Sequence, residues 1–454
     1  MDPADMAAAG AVPAALPDSV RAALLAPLVD HHCHGVRRDE LPRARFETLI
    51  AGTGAPPVPG TTHFETPLGA AIRRWCAPVL GLAPHAPPAV YLARRAELGP
   101  QEVNRRLLRA AGVVAFLVDT GTDTGPDGMA DRTARGARAG TADGARGGAP
   151  VGGDGPVGPA NGAARGVREW AANGGAREET VTRAAAGGRE LLSAAEMGRL
   201  GGAAADEIVR LESVEEDVAR GGTTAAGYLA ALEEHLSARA AGAVALKTVV
   251  ARRCGPGFDP ARPSRGAVIA AAGRRLADPG RPLDHPVLLR HLLWTATAVA
   301  RERGLSLQIS TGYGPVAGPG HCDPALLAGF AEALGPAGVP LVLLHCHPFH
   351  RQAAHLAAGF PHVYLDAGSA LIHCAGSAAG VVGELLDLLP FHKLMFGSHG
   401  RGVAETCHLA ALRFRRGLGR ALADRLEQGK WSAPDAARVA HMIGSDNARR
   451  VYRL

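Results

Sequence analysis

Lysine is nearly missing from this 454-residue chain: of its 49 basic residues, only Lys247, Lys393 and Lys430 are lysines. Arginine carries almost every positive charge, as a GC-rich coding bias would produce. The formal charge of +6 therefore sits on arginines scattered over helix faces and through a low-complexity stretch, not gathered with aromatics, which make up only 4% of the chain. That pattern argues against a nucleic-acid partner. The seven cysteines are odd in number, widely spaced and free of CxxC pairs, so a disulfide framework is not expected and a reducing cytoplasm is. No apolar run reaches about 18 residues, the minimum for a membrane span. The opening MDPADMAAAGAVPAAL has acidic residues where a secretory leader needs basic ones. Neither GxGxxG nor GxxxxGK[ST] follows an apolar run at the required offset, which leaves a nucleotide-binding fold without a specific signal.

What is present has an ordinary globular balance, 47% hydrophobic and 20% charged, with 59 glycines and 33 prolines that predict irregular segments. Eight short apolar runs suit buried parallel strands. They span 27–34, 112–119, 208–212, 243–250, 305–310, 340–345, 363–366 and 394–398. Amphipathic helical patterns lie between most of them, including 224–238, 286–303 and 404–429. Eight alternating units predict a (β/α)8 TIM-type barrel formed by the whole chain, 1–454, with an open doubly wound sheet as the other solution. Two insertions are expected. Residues 39–106 have folded, helical composition and follow the first strand, where they would cover the catalytic face. Residues 121–188, rich in Gly, Ala and Arg, lack the apolar surface to offset chain entropy and are expected to be disordered.

The first strand ends in Asp30-His31-His32-Cys33-His34. Residues two apart on a strand share a face, so His32 and His34 can reach one ion, with Asp30 expected deeper on the same face. Cys33 would then point into the barrel wall, as would Cys346 between His345 and His347.

These motifs resemble the amidohydrolase-related branch of the amidohydrolase superfamily, in particular the subgroup sometimes fused to glutamine synthetase. The resemblance rests on VDHHCHG (29–35), HFETPLGAAIRRWCAPVLGL (63–82), YLARRAELGPQEVNRRLLRAAGV (91–113), VRLESV (209–214), LQISTGYG (307–314), LLHCHPFHRQAAHLAAGFPHVYLDAG (343–368), FHKLMFGS (391–398) and NARRVY (447–452). It implies a barrel holding a divalent metal, zinc first among candidates, with His32, His34 and His345 as ligands. Lys247 matches a strand-four lysine that some relatives carboxylate to bridge two metals; pairing with Glu212 is the plainer alternative. An arginine could not serve that chemistry, so a lysine kept in a chain that avoids lysine points to a need for an amine.

This chain departs from the family at Ser310, where the strand-five histidine is expected, at Pro315, and at His399, where the strand-eight aspartate is expected. His399 becomes a fourth ligand or a proton shuttle, and Glu212 and Asp366 become candidate general bases or orienters of a histidine. Four imidazoles would close the metal shell, whereas three would leave a position for water. His347 is either a substitute ligand or a loop histidine. The resemblance implies hydrolysis of a carbon–nitrogen bond in a small polar amide or cyclic amide. Decarboxylation or isomerisation on the same barrel, and a catalytically silent scaffold, remain alternatives. A small-molecule substrate is expected, with no membrane or nucleic-acid partner, and homo-oligomerisation stays open.

Overall fold

The computed structural model describes residues 12–51, 57–121, 190–312, 322–366, 368–373 and 378–454. Eight parallel strands lie in the order of the chain: β1 (Leu28–His34), β2 (Val113–Asp119), β3 (Ala204–Arg210), β4 (Ala243–Thr248), β5 (Ser306–Ser310), β6 (Leu341–Leu344), β7 (Val363–Asp366) and β8 (Leu394–Met395). The ring closes between β8 and β1 through His31 N–H to the Phe396 carbonyl (3.2 Å), His399 N–H to the His32 carbonyl (2.9 Å) and His34 N–H to the Gly400 carbonyl (2.8 Å). This is the expected (β/α)8 barrel. The predicted 121–188 insertion, apart from Gly121, and Pro315 lie outside the described residues.

Strands buried on both faces read as continuous apolar runs, which is why seven of the eight predicted positions coincide closely with the observed ones. β3 is the exception: it begins at Ala204, four positions before the expected Ile208. Its first half, Ala204–Glu207, is exposed or half-buried and carries no apolar signature. Glu212 accordingly lies in the first turn of the helix Leu211–Arg220, not at a strand end.

β1 also departs from simple alternation. Asp30 pairs with Phe116 and Cys33 with Val118, so three steps on β1 match two on β2, a β-bulge at His31–His32. Val29 faces the barrel interior and Cys33 the surrounding helical layer. Both His31 and His32 turn inward, and Asp30 is left on the outer side, its Oδ1 accepting the Ser398 N–H at 2.8 Å. The expectation that Asp30 shares the face of His32 is corrected by this bulge.

The interior is filled by Val29, Ala115, Leu117, Ile208, Ala245, Val342, Leu344 and Met395. Its amino-terminal end is plugged by the C-terminal helix Asn447–Tyr452, whose Val451 and Tyr452 belong to the same interior cluster. The insertion after β1 contains the helices Arg43–Ile50, Pro67–Ala71 and Pro88–Ala110, the last kinked at Gly99, where φ is 75°. Phe46 stacks on Phe64 at 5.6 Å, and both rings meet Tyr91. The Tyr91 hydroxyl donates to Glu405 Oε1 (2.8 Å), and Arg95 pairs with the same oxygen. That buried contact fastens the insertion to the helix Ala404–Glu427 that follows β8. No helix among the described residues is long and apolar enough to cross a membrane.

Candidate metal centre

The strand ends bring four predicted histidines together at the carboxyl mouth. His32 and His34 come from β1, His345 follows β6, and His399 follows β8. Ring centroids lie 5.1 Å apart for His32–His34, 5.9 Å for His32–His345, 4.9 Å for His32–His399 and 4.2 Å for His345–His399. His345 and His399 both take left-handed backbone, with φ of 60° and 50°. Such conformations are costly for a residue with a Cβ and concentrate at functional sites, here turning two imidazoles off their strand ends toward each other.

Ligand atoms of His32, His34 and His345 all lie within 4.8 Å of one another, and His399 is not in that group. Burial, reinforced by Lys247 and the neighbouring rings, holds His32 well below the ordinary histidine range. Burial does the same for His345, helped by His399 and Arg252. Both rings are neutral at physiological pH and offer lone pairs. His32 Nδ1 is buried without a hydrogen-bond partner among the described residues, so the cluster's polar atoms are not all satisfied by protein groups. The donor set therefore fits a divalent ion.

His399 is engaged differently. Its Nε2 lies 2.6 Å from Asp366 Oδ2, at the end of β7, and the same carboxylate oxygen meets His31 Nε2 at 3.0 Å. Burial alone would raise the pKa of Asp366, but the two imidazoles overcome it and hold the carboxyl well below its usual range. Burial lowers His399, with Asp366 opposing. A neutral ring beside an ionised carboxylate donates through Nε2, and His399 Nδ1 has no partner. Gly368 is required here, since a Cβ at that position would lie 1.8 Å from His399 Cδ2.

Lys247, on β4, points into the same mouth, with Nζ 3.1 Å from His32 Nε2 and 2.7 Å from Asp119 Oδ2. Arg210 of β3 pairs with that carboxylate oxygen as well, and His34 Nδ1 approaches it at 3.5 Å. Burial would raise Asp119, yet Arg210 and Lys247 hold it well below the carboxylate range. The partner of Lys247 is thus Asp119 and not Glu212. Glu212 instead accepts from the Val249 N–H (2.9 Å) and from the Thr248 hydroxyl, anchoring the end of β4. Asp119 was missed in the sequence although it closes a strand-like run; its terminal position after VVAFLV was the available signal.

Ser310 is fully buried at the end of β5, and its hydroxyl has no hydrogen-bond partner among the described residues. It alternates with Ser306 and Gln308, whose side chains bond into the barrel interior, so it shares their inward face. His347 stacks on His350 at 5.7 Å and lies outside the three-histidine group. Cys33 and Cys346 pack in the outer layer, as expected.

A parallel eightfold barrel with imidazoles converging at its carboxyl mouth is an architecture that can hold a metal ion at its strand ends. The chain belongs to the amidohydrolase family (Amidohydro_2), whose pattern it matches over residues 199–454, more than half its length. It is 29% identical over 182 residues to protein fluG of Emericella nidulans, a match covering 38% of this chain and 20% of that protein. The chain thus spans about a fifth of its curated relative. A Lactobacillus casei structure described as a metal-dependent hydrolase superposes with a TM-score of 0.70 at 20% identity, covering 96% of this chain and 98% of that one. Uronate isomerase of Thermotoga maritima gives 0.56 at 12% identity, covering 98% of both chains. These structural likenesses share the fold.

Proposed function

We propose that this protein is a metal-dependent hydrolase that cleaves a carbon–nitrogen bond in a small polar amide or cyclic amide. The observation that carries the reading is the group of three imidazoles, His32, His34 and His345, with ligand atoms within 4.8 Å of one another. Three imidazole ligands would suit zinc and would leave a coordination position for water. Such an ion supplies a Lewis acid for the carbonyl and makes water nucleophilic near neutral pH.

The remaining steps fall to the protein. His399 Nδ1, unpartnered among these rings, accepts a proton from the attacking water as its oxygen bonds to the carbonyl carbon. As the carbon–nitrogen bond breaks, the same proton passes to the leaving nitrogen. His399 thus serves as the shuttle and not as a fourth ligand, because it falls outside the group of ligand atoms that lie within 4.8 Å of one another. Lys247, held as an ammonium by Asp119, offers positive charge toward the developing oxyanion, in preference to bridging two metals as a carbamate. Glu212 acts as a positioning residue for β4. Resemblance to the glutamine-synthetase-associated subgroup directs the substrate search toward glutamyl-type amides.

The test is a panel of amides, cyclic amides and glutamyl amides assayed with protein loaded separately with zinc, manganese and iron. Hydrolysis lost in H345A and H399A supports the reading. The presence of Ser310 where relatives are expected to carry a histidine favours a second reading, a catalytically silent barrel. Substoichiometric metal together with no turnover across the panel would select it. Turnover of a sugar acid or a carboxylic acid without hydrolysis would select isomerisation or decarboxylation instead.

A further inference from the structure

Beyond the metal ring, a line of buried polar groups runs from the barrel floor to its mouth. The His31 carbonyl can only accept, so the group 3.1 Å away is the Gln308 amide nitrogen. The second N–H of that nitrogen reaches the Tyr452 oxygen at 2.8 Å. Tyr452 therefore directs its own O–H to His31 Nδ1, 3.0 Å distant. With Nδ1 accepting, the His31 ring proton sits on Nε2 and donates to Asp366 Oδ2 at 3.0 Å. The other oxygen, Oδ1, accepts the Gly368 N–H at 3.0 Å. His399 Nε2 then donates to Oδ2 from the opposite side at 2.6 Å. One peptide carbonyl at the floor and one carboxylate at the mouth set the directions of the chain.

We infer that Gln308, Tyr452 and His31 form a polarised hydrogen-bond chain that ends on Asp366, and that Asp366 is the positioning residue that fixes His399 as its Nε2–H tautomer. Its consequence is that the lone pair of His399 is always on Nδ1, the nitrogen without a protein partner. The arrangement is tightly enclosed. A Cβ on Gly397 would meet His31 Nε2 at 3.0 Å and Asp366 Oδ2 at 3.1 Å, and one on Gly368 would overlap the His399 ring. Tyr452 is delivered by the C-terminal helix, itself tied to β5 by the Ser306 hydroxyl on the Val451 carbonyl at 2.9 Å. The barrel floor and the mouth are thus one network, and the bulge that turns His31 inward is what joins them.

The catalytic weight of His399 rests on the hydrolase reading above, whereas the tautomer does not. The experiment is a long-range proton–nitrogen correlation spectrum of the histidine rings in the full-length, metal-free protein, with H31Q and H399Q supplying assignments. Both rings should appear as pure Nε2–H tautomers. D366N should abolish the single form of His399, while Y452F should disturb His31 and leave His399 unchanged. A His399 proton on Nδ1 in the unsubstituted protein overturns the proposal, and so does an unchanged His399 pattern in folded D366N. Should D366N fail to fold, the unsubstituted spectrum and Y452F decide alone. With a substrate in hand, D366N should lower kcat at least ~100-fold at nearly constant KM. Absence of any hydrolysis would sink the hydrolase reading with the spectra intact, and wrong tautomers would sink the chain with hydrolysis intact.

Discussion

His31 and His32 are adjacent on one strand, yet both imidazoles face the barrel interior, His31 toward Tyr452 and His32 toward Lys247. Neighbours on a regular strand face opposite ways, and the bulge between Asp30 and Cys33 removes that constraint. It gives the first strand two inward histidines at different depths, one for the ligand ring and one for the chain behind it. It also displaces Asp30 to the outer side of the strand.

Asp30 is fully buried, with Oδ2 lacking a partner, and burial pushes its pKa from 3.8 to about 7 despite the Ser398 contacts. A carboxyl whose folded-state pKa is raised binds its proton more tightly in the native state. Stability is therefore highest below the unfolded value and falls as pH rises from about 4 to about 7, the cost being complete above that. D30N keeps an acceptor for Ser398 and removes the ionisation. It should stabilise the protein by ~1–4 kcal/mol at about pH 8 and by far less at about pH 4, measured by urea denaturation at each pH.

Arg415 is fully buried and donates to four backbone carbonyls: Leu24 (3.0 Å), Ala26 (3.4 Å), Ala111 (2.8 Å) and Gly112 (3.1 Å). It joins the helix Ala404–Glu427 to the ends of the helices preceding β1 and β2. No carboxylate among the described residues pairs with it, and burial lowers its pKa to about 10. R415M retains the side-chain bulk and strands the carbonyls. Chemical denaturation should show a loss of ~3–5 kcal/mol.

Most of the scaffold and the two mouth histidines of β1 could be read from the chain because their signals are local, while His345 and His399 were placed by the family resemblance. A parallel strand buried on both faces is a run of apolar residues, and a His-x-His pair at the end of such a run has one geometric consequence. The polar half of β3 had no such signature, which displaced Glu212 by one element. Asp366 was legible as a candidate orienter of a histidine, though not which one, whereas the partners of Lys247 and His31 were not, because Asp119 and Tyr452 reach them from another strand and from the chain's last helix. A bulge is likewise set by pairing register and not by composition.

Ser310 faces the mouth with an unpartnered hydroxyl at the place where relatives are expected to supply a histidine. S310H should add a ligand and tighten zinc binding at least ~10-fold by competition with a chromophoric chelator. H399D should not improve on it. A carboxylate introduced there faces Asp366, and two buried like charges at that separation destabilise each other. We expect H399D to lower the melting temperature, with no gain in affinity.

The measurement that bears most directly on the metal centre is anomalous diffraction at the zinc edge from crystals grown with equimolar zinc. One peak about 2.0–2.1 Å from a ring nitrogen of each of His32, His34 and His345 is the predicted result. H32A should erase it, and H347A should leave it in place. Full zinc occupancy elsewhere in the molecule, or no peak at the strand ends, would contradict the account.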